Sequence, residues 1–321
     1  MTRLATGLAT PPAIRARGLR RSYGKQLVLD GIGLEVAEGT VFALLGPNGA
    51  GKTTTVNILS TLIPADGGEV HVAGHDIARE PDAVRASIGV TGQFSAVDSL
   101  LTAAENLILM ADLLHLGKRE GRARAAELLE RFDLIEAAKK PLATFSGGMQ
   151  RRLDLAMTLV GNPRIIFLDE PTAGLDPRSR RVMWQIVRDL VAGGVTIFLT
   201  TQYLEEADRL ADRIAVLDGG VIVAEGTPDE LKRLVPGGHI RLEFSDPAEL
   251  DRAARSFDGA TRDDEGLVLQ IPGDGGVGSL RSVLDRLDAG AIDVEALSVQ
   301  TPDLDDVFLS LTSHDEKAAT R

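Results

Sequence analysis

The chain has 321 residues, a formal net charge of −12 at neutral pH and no cysteine. Its length exceeds what one hydrophobic core usually organises, which predicts one domain of about 200 residues and a smaller second domain. The acidic charge opposes nucleic-acid binding, which needs clustered Lys and Arg, so we expect no nucleic-acid partner. The missing cysteines exclude disulfides, thiol catalysis and cysteine metal sites.

The two ends of the chain are predicted to be flexible, over residues 1–12 and 314–321. The first segment lacks the apolar core of a signal peptide. No stretch of about 18 uncharged apolar residues occurs anywhere, so we expect no membrane span. His71 and His75 fall at a predicted strand end and in a turn, and we interpret them as surface polar groups, not metal ligands.

Strands and helices alternate through most of the chain. Continuous apolar runs predict buried strands, and they are separated by stretches of helical period such as residues 178–191. The runs are residues 41–45, 165–168, 195–199 and 214–217. This alternation predicts an α/β fold with a parallel sheet covered on both faces. Between residues 100 and 140 only helical spacing occurs, which predicts a helical subdomain over about residues 95–160.

A turn cluster, V-P-G-G at residues 235–238, predicts a domain boundary. The segment that follows, residues 238–313, has the pattern of a small ferredoxin-like α+β domain. Its predicted elements are a strand over 239–244, a helix over 247–256, a strand pair ending at 267–271, a helix over 277–288, a strand over 292–299 and a last helix from about 303.

A phosphate-binding motif lies between the first buried strand and a helix. Residues 46–53, G-P-N-G-A-G-K-T, match G-x-x-x-x-G-K-[ST]. The glycines let the loop curl so that backbone N–H groups face phosphates, Lys52 adds charge, and the Thr53 hydroxyl can bind Mg²⁺. The sequence therefore predicts a P-loop NTPase that binds ATP and Mg²⁺. The alternative, a glycine turn that only caps a helix, is disfavoured by the strand-loop-helix context. The predicted ATP-binding residues of this segment are Gly46, Asn48, Gly49, Ala50, Gly51, Lys52, Thr53 and Thr54.

Two carboxylates end the apolar run I-I-F-L at residues 165–168. Side chains alternate along a strand, so adjacent carboxylates point different ways. Asp169 can then join the Mg²⁺ shell while Glu170 faces the attacking water. A solvated strand end is the alternative for this pair taken alone.

A second anion site is predicted at F-S-G-G-M-Q-R-R, residues 145–152, ahead of a helix over 151–160. Ser146 suits a helix N-cap, and the two glycines expose backbone donors. An ordinary capped helix would be the preferred interpretation of this stretch by itself.

Together these motifs resemble the ATP-binding subunits of ABC transporters over about residues 13–235. The resemblance implies that Ser146, Gly147 and Gly148 contact the γ-phosphate of ATP bound to a second copy of the chain. It also implies that Tyr23 stacks on adenine, that Gln93 reaches Mg²⁺, and that Asp176 lies in the loop that links the two sites of the dimer. Phe145 and Met149 depart from the usual Leu and Gln of this motif.

Within that family the chain resembles the drug exporters typified by daunorubicin resistance. The marks are R-R-L-D-L-A after the glycines, Gln202 where most ABC transporters carry histidine, and T-P-D-L-D-D-V-F-L-S-L-T at residues 301–312. The resemblance implies an ATP-hydrolysing subunit with catalytic Glu170, Gln202 and Lys52. It would drive efflux of a drug or another amphipathic compound through a separate integral-membrane permease, at the cytoplasmic face of the membrane.

Four questions stay open from the sequence. The exported compound could be a lipid or another non-drug substrate. A soluble ABC ATPase without a transport role would predict tandem ATPase units, coiled-coil insertions or basic stripes, and a P-loop nucleotide kinase would need an acceptor-binding lid. The C-terminal domain could sense a ligand or stabilise the dimer.

Overall fold

The structure is a computed structural model that describes residues 11–92, 97–234, 238–273, 276–300 and 303–312. The chain divides into two compact units, one up to Pro228 and one from Asp229 onward. The predicted flexible ends lie outside the described residues, apart from Pro11 and Pro12. Within the described ranges, every helix is too short or too polar to cross a bilayer.

The first unit contains ten strands, seven complete α-helices and two short 3-10 helices in its described ranges, and α8 (Pro228–Lys232) begins at its boundary. The strands are β1 (Ile14–Tyr23), β2 (Gln26–Val36), β3 (Val41–Leu45), β4 (Gly67–Val72), β5 (His75–Asp76), β6 (Ile88–Thr91), β7 (Ile165–Asp169), β8 (Thr196–Thr201), β9 (Arg213–Asp218) and β10 (Val221–Gly226). The helices are α1 (Lys52–Leu59), α2 (Pro81–Ser87), α3 (Ala103–Leu113), α4 (Lys118–Arg131), α5 (Gly147–Thr158), α6 (Pro177–Ala192) and α7 (Leu204–Leu210).

The central sheet has the order β10-β9-β3-β8-β7-β6. All pairings from β9 to β6 are parallel, whereas β10 runs antiparallel to its neighbour β9. Every residue of β3, β7 and β8 is buried, and the Phe42 and Phe198 rings stack with centroids 5.5 Å apart. The predicted parallel sheet is confirmed. Because parallel strands end at one edge, the loops after β3, β7 and β8 lie side by side.

A second sheet, β2-β1-β4-β5, is antiparallel. The sequence pattern did not predict it. Register shifts interrupt the pairing of β1 with β2 at three places, and each extra residue reverses which side chains face the core, so the period-two alternation is lost.

The helical subdomain contains α3, α4 and α5. Thr102 and Glu105 form a capping box at the start of α3. Helix α5 begins at Gly147, four residues before the predicted start at 151, because Ser146 caps it by accepting a hydrogen bond from the Met149 N–H at 3.3 Å. Strand β8 spans Thr196–Thr201, so it ends two residues beyond the predicted end at 199. The added residues are Thr200 and Thr201, which are buried although their side chains are polar, so the apolar run in the sequence stops before them.

The second unit has the order β-α-β-β-α-β followed by a last helix. Its elements are β11 (His239–Glu243), α9 (Pro247–Ser256), β12 (Thr261–Asp263), β13 (Val268–Pro272), α10 (Val277–Ala289), β14 (Ala296–Gln300) and α11 (Leu304–Thr312). The antiparallel sheet order β12-β13-β11-β14 is that of a ferredoxin-like fold, as predicted. The strand predicted over 292–299 begins only at Ala296. Ile292 is apolar because it packs in the core of this unit, ahead of the residues that pair as β14.

Candidate nucleotide-binding site

The loop after β3 forms a tight backbone cradle that ends at α1. Gly51 precedes the helix with φ 109°, and a side chain there would approach the Leu29 Cδ2 atom to 2.6 Å. Only glycine fits this position without strain. Asn48, Gly49 and Thr53 are exposed along the loop, while Gly46, Ala50 and Gly51 are buried and Thr54 is half-buried. The start of α1 has no side-chain cap, so its first N–H groups suit an anionic ligand.

Lys52 is the buried cation of this cradle, with 5% of its surface exposed. Its Nζ atom donates to the carbonyl oxygens of Gly46 at 2.8 Å and Pro47 at 3.0 Å, and it lies 3.8 Å from Glu170 Oε1. Burial lowers the pKa of Lys52, and the carboxylates of Glu170 and Asp169 oppose that shift. The Lys52 ammonium group is therefore held against the phosphate-binding loop, beside the carboxylates of Glu170 and Asp169.

Asp169 connects β7 to the loop and to β8. Its Oδ2 accepts a hydrogen bond from Thr53 Oγ1 at 2.9 Å, and its Oδ1 accepts one from Thr200 Oγ1. Mg²⁺ prefers oxygen ligands, and the Thr53 hydroxyl and the Asp169 carboxylate place two such oxygens next to each other. The residues present thus fit a magnesium ion held by Thr53 and Asp169. Thr200 was not singled out in the sequence, because nothing local distinguishes a threonine in a buried strand.

Glu170 has an unusual backbone, with φ 47°. A non-glycine residue in this region is strained and persists only when its surroundings hold it. Here the Glu170 N–H donates to Thr200 O at 3.1 Å. The structure therefore brings Lys52, Thr53, Asp169 and Glu170 together at one edge of the central sheet.

Gln202 lies at the same edge. It is exposed and directly follows β8, whose Thr201 pairs in register with Leu45, the residue before Gly46. Tyr23 ends β1 in the antiparallel sheet, with 48% of its surface exposed and the Arg21 guanidinium 4.9 Å from its ring centroid. Gln93 lies outside the described residues.

The second predicted anion site is built at the N-terminus of α5. Ser146 and Gly147 are exposed there. A side chain at Gly148 would lie 2.8 Å from Ser179 Cβ, so the close approach of α6 requires glycine. Phe145 is buried and contributes packing in place of the usual leucine. Ser146 and Gly148 line a cavity of about 420 Å³ together with Asp176.

Asp176 caps α6. Its Oδ1 accepts hydrogen bonds from the N–H groups of Arg178 and Ser179, each at 3.0 Å. The Ser179 hydroxyl and these N–H groups lower the pKa of Asp176. Asp176 and the α5 N-terminus are thus neighbours on one exposed surface.

Comparisons with known proteins agree with this geometry. Residues 29–173 match the ABC transporter family, and residues 226–312 match the C-terminal domain of DrrA1-3-like ATP-binding proteins. The chain is 52% identical over 307 residues to the daunorubicin resistance ATP-binding protein DrrA2 of Streptomyces coeruleorubidus, covering 94% of this chain and 95% of that protein. It is 36% identical over 304 residues to the linearmycin resistance ATP-binding protein LnrL of Bacillus subtilis, covering 93% and 98%.

Solved structures give the same result. An ATP-binding cassette of an ABC transporter in its ADP conformation aligns with a TM-score of 0.62 at 26% identity, covering 69% of this chain and 93% of that one. A dimeric ATP-binding cassette in a post-hydrolysis state bound to ADP and phosphate aligns with a TM-score of 0.60 at 28% identity, covering 67% and 98%. The chain therefore belongs to the ATP-binding proteins of ABC transporters, and within them to those with the DrrA-type C-terminal domain.

Proposed function

We propose that this chain hydrolyses ATP as a dimer to export a drug or a drug-like amphipathic compound through a separate integral-membrane permease. The observation that carries the proposal is the meeting of Lys52, Thr53, Asp169 and Glu170 at one sheet edge. Attached to the permease, the subunit would work at the cytoplasmic face of the membrane. The compound is selected by the permease, so these residues supply only the energy for export.

Each group at the sheet edge has a role in phosphoryl transfer to water. The glycine loop and Lys52 hold the phosphates and offset their charge, and Tyr23 stacks on the adenine. Thr53, Asp169 and Gln93 would hold Mg²⁺, which when bound would neutralise charge on the phosphate oxygens. Glu170 accepts a proton from the attacking water. Gln202 donates a hydrogen bond from its amide to the γ-phosphate and accepts one from the water.

The exposed N-terminus of α5 completes the site of a second copy. Ser146, Gly147 and Gly148 offer a hydroxyl group, close backbone approach and the positive end of the helix dipole to the partner's γ-phosphate. Asp176, which shares their cavity, lies in the loop that meets the partner. Dimerisation is then part of the active site.

The choice of a drug as cargo rests on the relatives. Proteins named for resistance to daunorubicin, doxorubicin and linearmycin align over 93% or more of this chain. A Nod factor export protein of Ralstonia nicotianae is 41% identical but covers only 70% of it. A non-drug substrate is therefore the second candidate.

Glu170→Gln tests the hydrolytic assignment. The substitution keeps the size and hydrogen-bonding reach of the side chain but removes the proton acceptor. We expect turnover to fall about 100-fold or more, the scale of general-base catalysis, while ATP affinity is retained. Phosphate release and binding of a fluorescent ATP analogue measure the two quantities. Glu127→Gln is the matched control, because Glu127 is an exposed acid paired with Arg124 in the helical subdomain. Wild-type turnover in Glu170→Gln would overturn the assignment.

Export is tested by co-expressing the chain with its permease and measuring cellular accumulation of a panel of amphipathic drugs. We expect the wild type to lower accumulation and Glu170→Gln to leave it unchanged. Equal accumulation of every drug with both variants, together with normal ATP hydrolysis, would favour the non-drug substrate.

A further inference from the structure

Arg151 lies in the second turn of α5 and holds three backbone carbonyls at once. Its Nε donates to Pro171 O at 2.9 Å, and its two terminal nitrogens donate to Asp169 O at 3.1 Å and Gly92 O at 2.8 Å. Only 10% of the side chain is exposed. A buried guanidinium is thereby fixed by three carbonyls from two segments that are distant in sequence.

Two of these carbonyls lie immediately before and after Glu170. The peptide before Glu170 and the peptide after Pro171 are thus hydrogen-bonded to α5, while the Glu170 N–H donates to Thr200 O. These hydrogen bonds explain how Glu170 keeps its positive φ, since strained backbone persists only when neighbouring groups hold it. The third carbonyl, that of Gly92, belongs to the residue before Gln93.

The charge and shape of Arg151 suit this role. Asp154, one turn along α5, accepts a hydrogen bond from the guanidinium at 3.1 Å. Burial lowers the pKa of Arg151, and Asp154 opposes that shift. A planar guanidinium presents several donors in fixed directions, whereas a lysine ammonium is a compact point charge and cannot reach three carbonyls together.

We propose that Arg151 is a positioning residue that couples the two nucleotide sites of the dimer through α5. The inference rests on the proposed function, in which Ser146 at the start of α5 faces the partner's nucleotide. Five residues later in the chain, Arg151 holds the backbone carbonyls of Asp169 and Pro171, on either side of the chain's own Glu170. A displacement of α5 on meeting the partner's nucleotide therefore moves the proton acceptor of the other site.

The test is Arg151→Lys in the full-length chain, with ATP turnover measured across ATP concentrations. We expect kcat to fall about 10- to 100-fold, because a shift of about 1 Å in a catalytic group has effects of that size. The KM for ATP should change less than about twofold, since the phosphate loop is untouched.

Arg124→Lys is the matched control. Arg124 also pairs with an acid three residues on, Glu127, and also donates to a backbone carbonyl of the α5 region, Leu159 O at 2.7 Å. These contacts involve neither Asp169 nor Pro171, the residues on either side of Glu170. We expect its kcat to stay within about twofold of the wild type. Equal kcat in Arg151→Lys and Arg124→Lys would overturn the inference.

A second measurement separates positioning from general destabilisation. If Arg151 acts through Glu170, then adding Arg151→Lys to Glu170→Gln changes the residual rate less than about twofold, because residues that act as a unit are not additive. A further 10-fold loss would overturn the proposal. Where Arg151→Lys does not fold, Asp154→Asn replaces it, with a smaller fall in kcat and the same KM expected, and an unchanged kcat counting against the inference. Absence of hydrolysis in the wild type would instead refute the proposed function.

Discussion

Gln202 is an exposed amide that directly follows the buried strand β8. Its neighbour Thr201 pairs with Leu45, so the amide lies one position beyond the strand end that leads into the phosphate loop. An amide offers one donor group and one acceptor and does not titrate near neutral pH. A histidine in this position would titrate. The chemical difference between the two side chains is therefore one of pH response.

Gln202→His is expected to remain active within about 10-fold of the wild type, because imidazole can also donate to phosphate and accept from water. Protonation removes its acceptor, so activity should rise with pH near or above the ordinary histidine pKa of about 6.5. Rates of ATP hydrolysis between pH 5.5 and 8.5 give the profile, which should lack this step in the wild type. Superimposable profiles would contradict the proposed role of Gln202.

The motif residues of the site could be predicted because each motif is contiguous and its spacing carries the chemistry. Thr53 and Asp169 are 116 positions apart, and their motifs still predicted that they lie close together, as their hydrogen bond shows. Arg151 was missed as a contact of Asp169 and Pro171, the residues on either side of Glu170, since a second arginine beside Arg152 has no distinguishing pattern. Its role depends on the folded chain, which brings the carbonyls of Gly92 and Pro171 to the Arg151 guanidinium.

At the level of elements, a buried carboxylate joins three segments around the sheet edge. Glu206 on α7 is fully buried. Its Oε1 accepts hydrogen bonds from Trp184 Nε1 on α6 at 3.1 Å and from Thr172 Oγ1 at 2.8 Å. Burial raises the pKa of Glu206, with these hydrogen bonds opposing the shift. The folded state therefore favours the protonated form more than the unfolded chain does.

Glu206→Gln is predicted to change how stability depends on pH. For a carboxyl whose pKa is raised on folding, the favourable contribution is present below the unfolded pKa and is lost as pH rises through the folded pKa. The free energy of unfolding of the wild type should therefore fall relative to that of Glu206→Gln as the pH rises across that range. Urea unfolding at a series of pH values measures this. Glu205→Gln, at the exposed neighbouring carboxylate, is the control for the same substitution without burial. Parallel curves for wild type and Glu206→Gln would contradict the prediction.

Elements with an uninterrupted pattern were predicted well. The apolar runs became β3, β7, β8 and β9, with ends that differ by at most two residues. The antiparallel sheet was missed because irregular pairing in β1 hides the alternation. The start of α5 was placed too late, because the two glycines after Ser146 lower helix propensity. The structure confirms the prediction that Ser146 is an N-cap, and it places the first helical residue directly after it.

At the level of the whole molecule, the proposed function gives one chain two incomplete halves of different sites. Lys52 and Glu170 lie at the sheet edge, while Ser146 caps α5 with its exposed side facing solvent. A two-fold dimer presents the same surface from both copies, so in the proposed dimer each copy completes the site of the other. The sequence could indicate this arrangement only through its resemblance to ABC transporters, because a partner leaves no periodic signal in the chain.

Mixing two inactive variants tests the shared site. Lys52→Ala removes the phosphate-loop cation, whereas Ser146→Asp keeps an N-cap residue but adds a carboxylate that repels the partner's phosphate. Each variant alone should be inactive. In an equal mixture about half of the dimers contain both chains, and each of these has one intact site, so about a quarter of the wild-type hydrolysis rate should return. Lys52→Ala mixed with the Lys52→Ala, Ser146→Asp double variant is the control and should stay inactive, because no phosphate loop in that mixture is intact. If the first mixture also stays inactive while chain exchange is demonstrated, the two halves do not meet across the dimer.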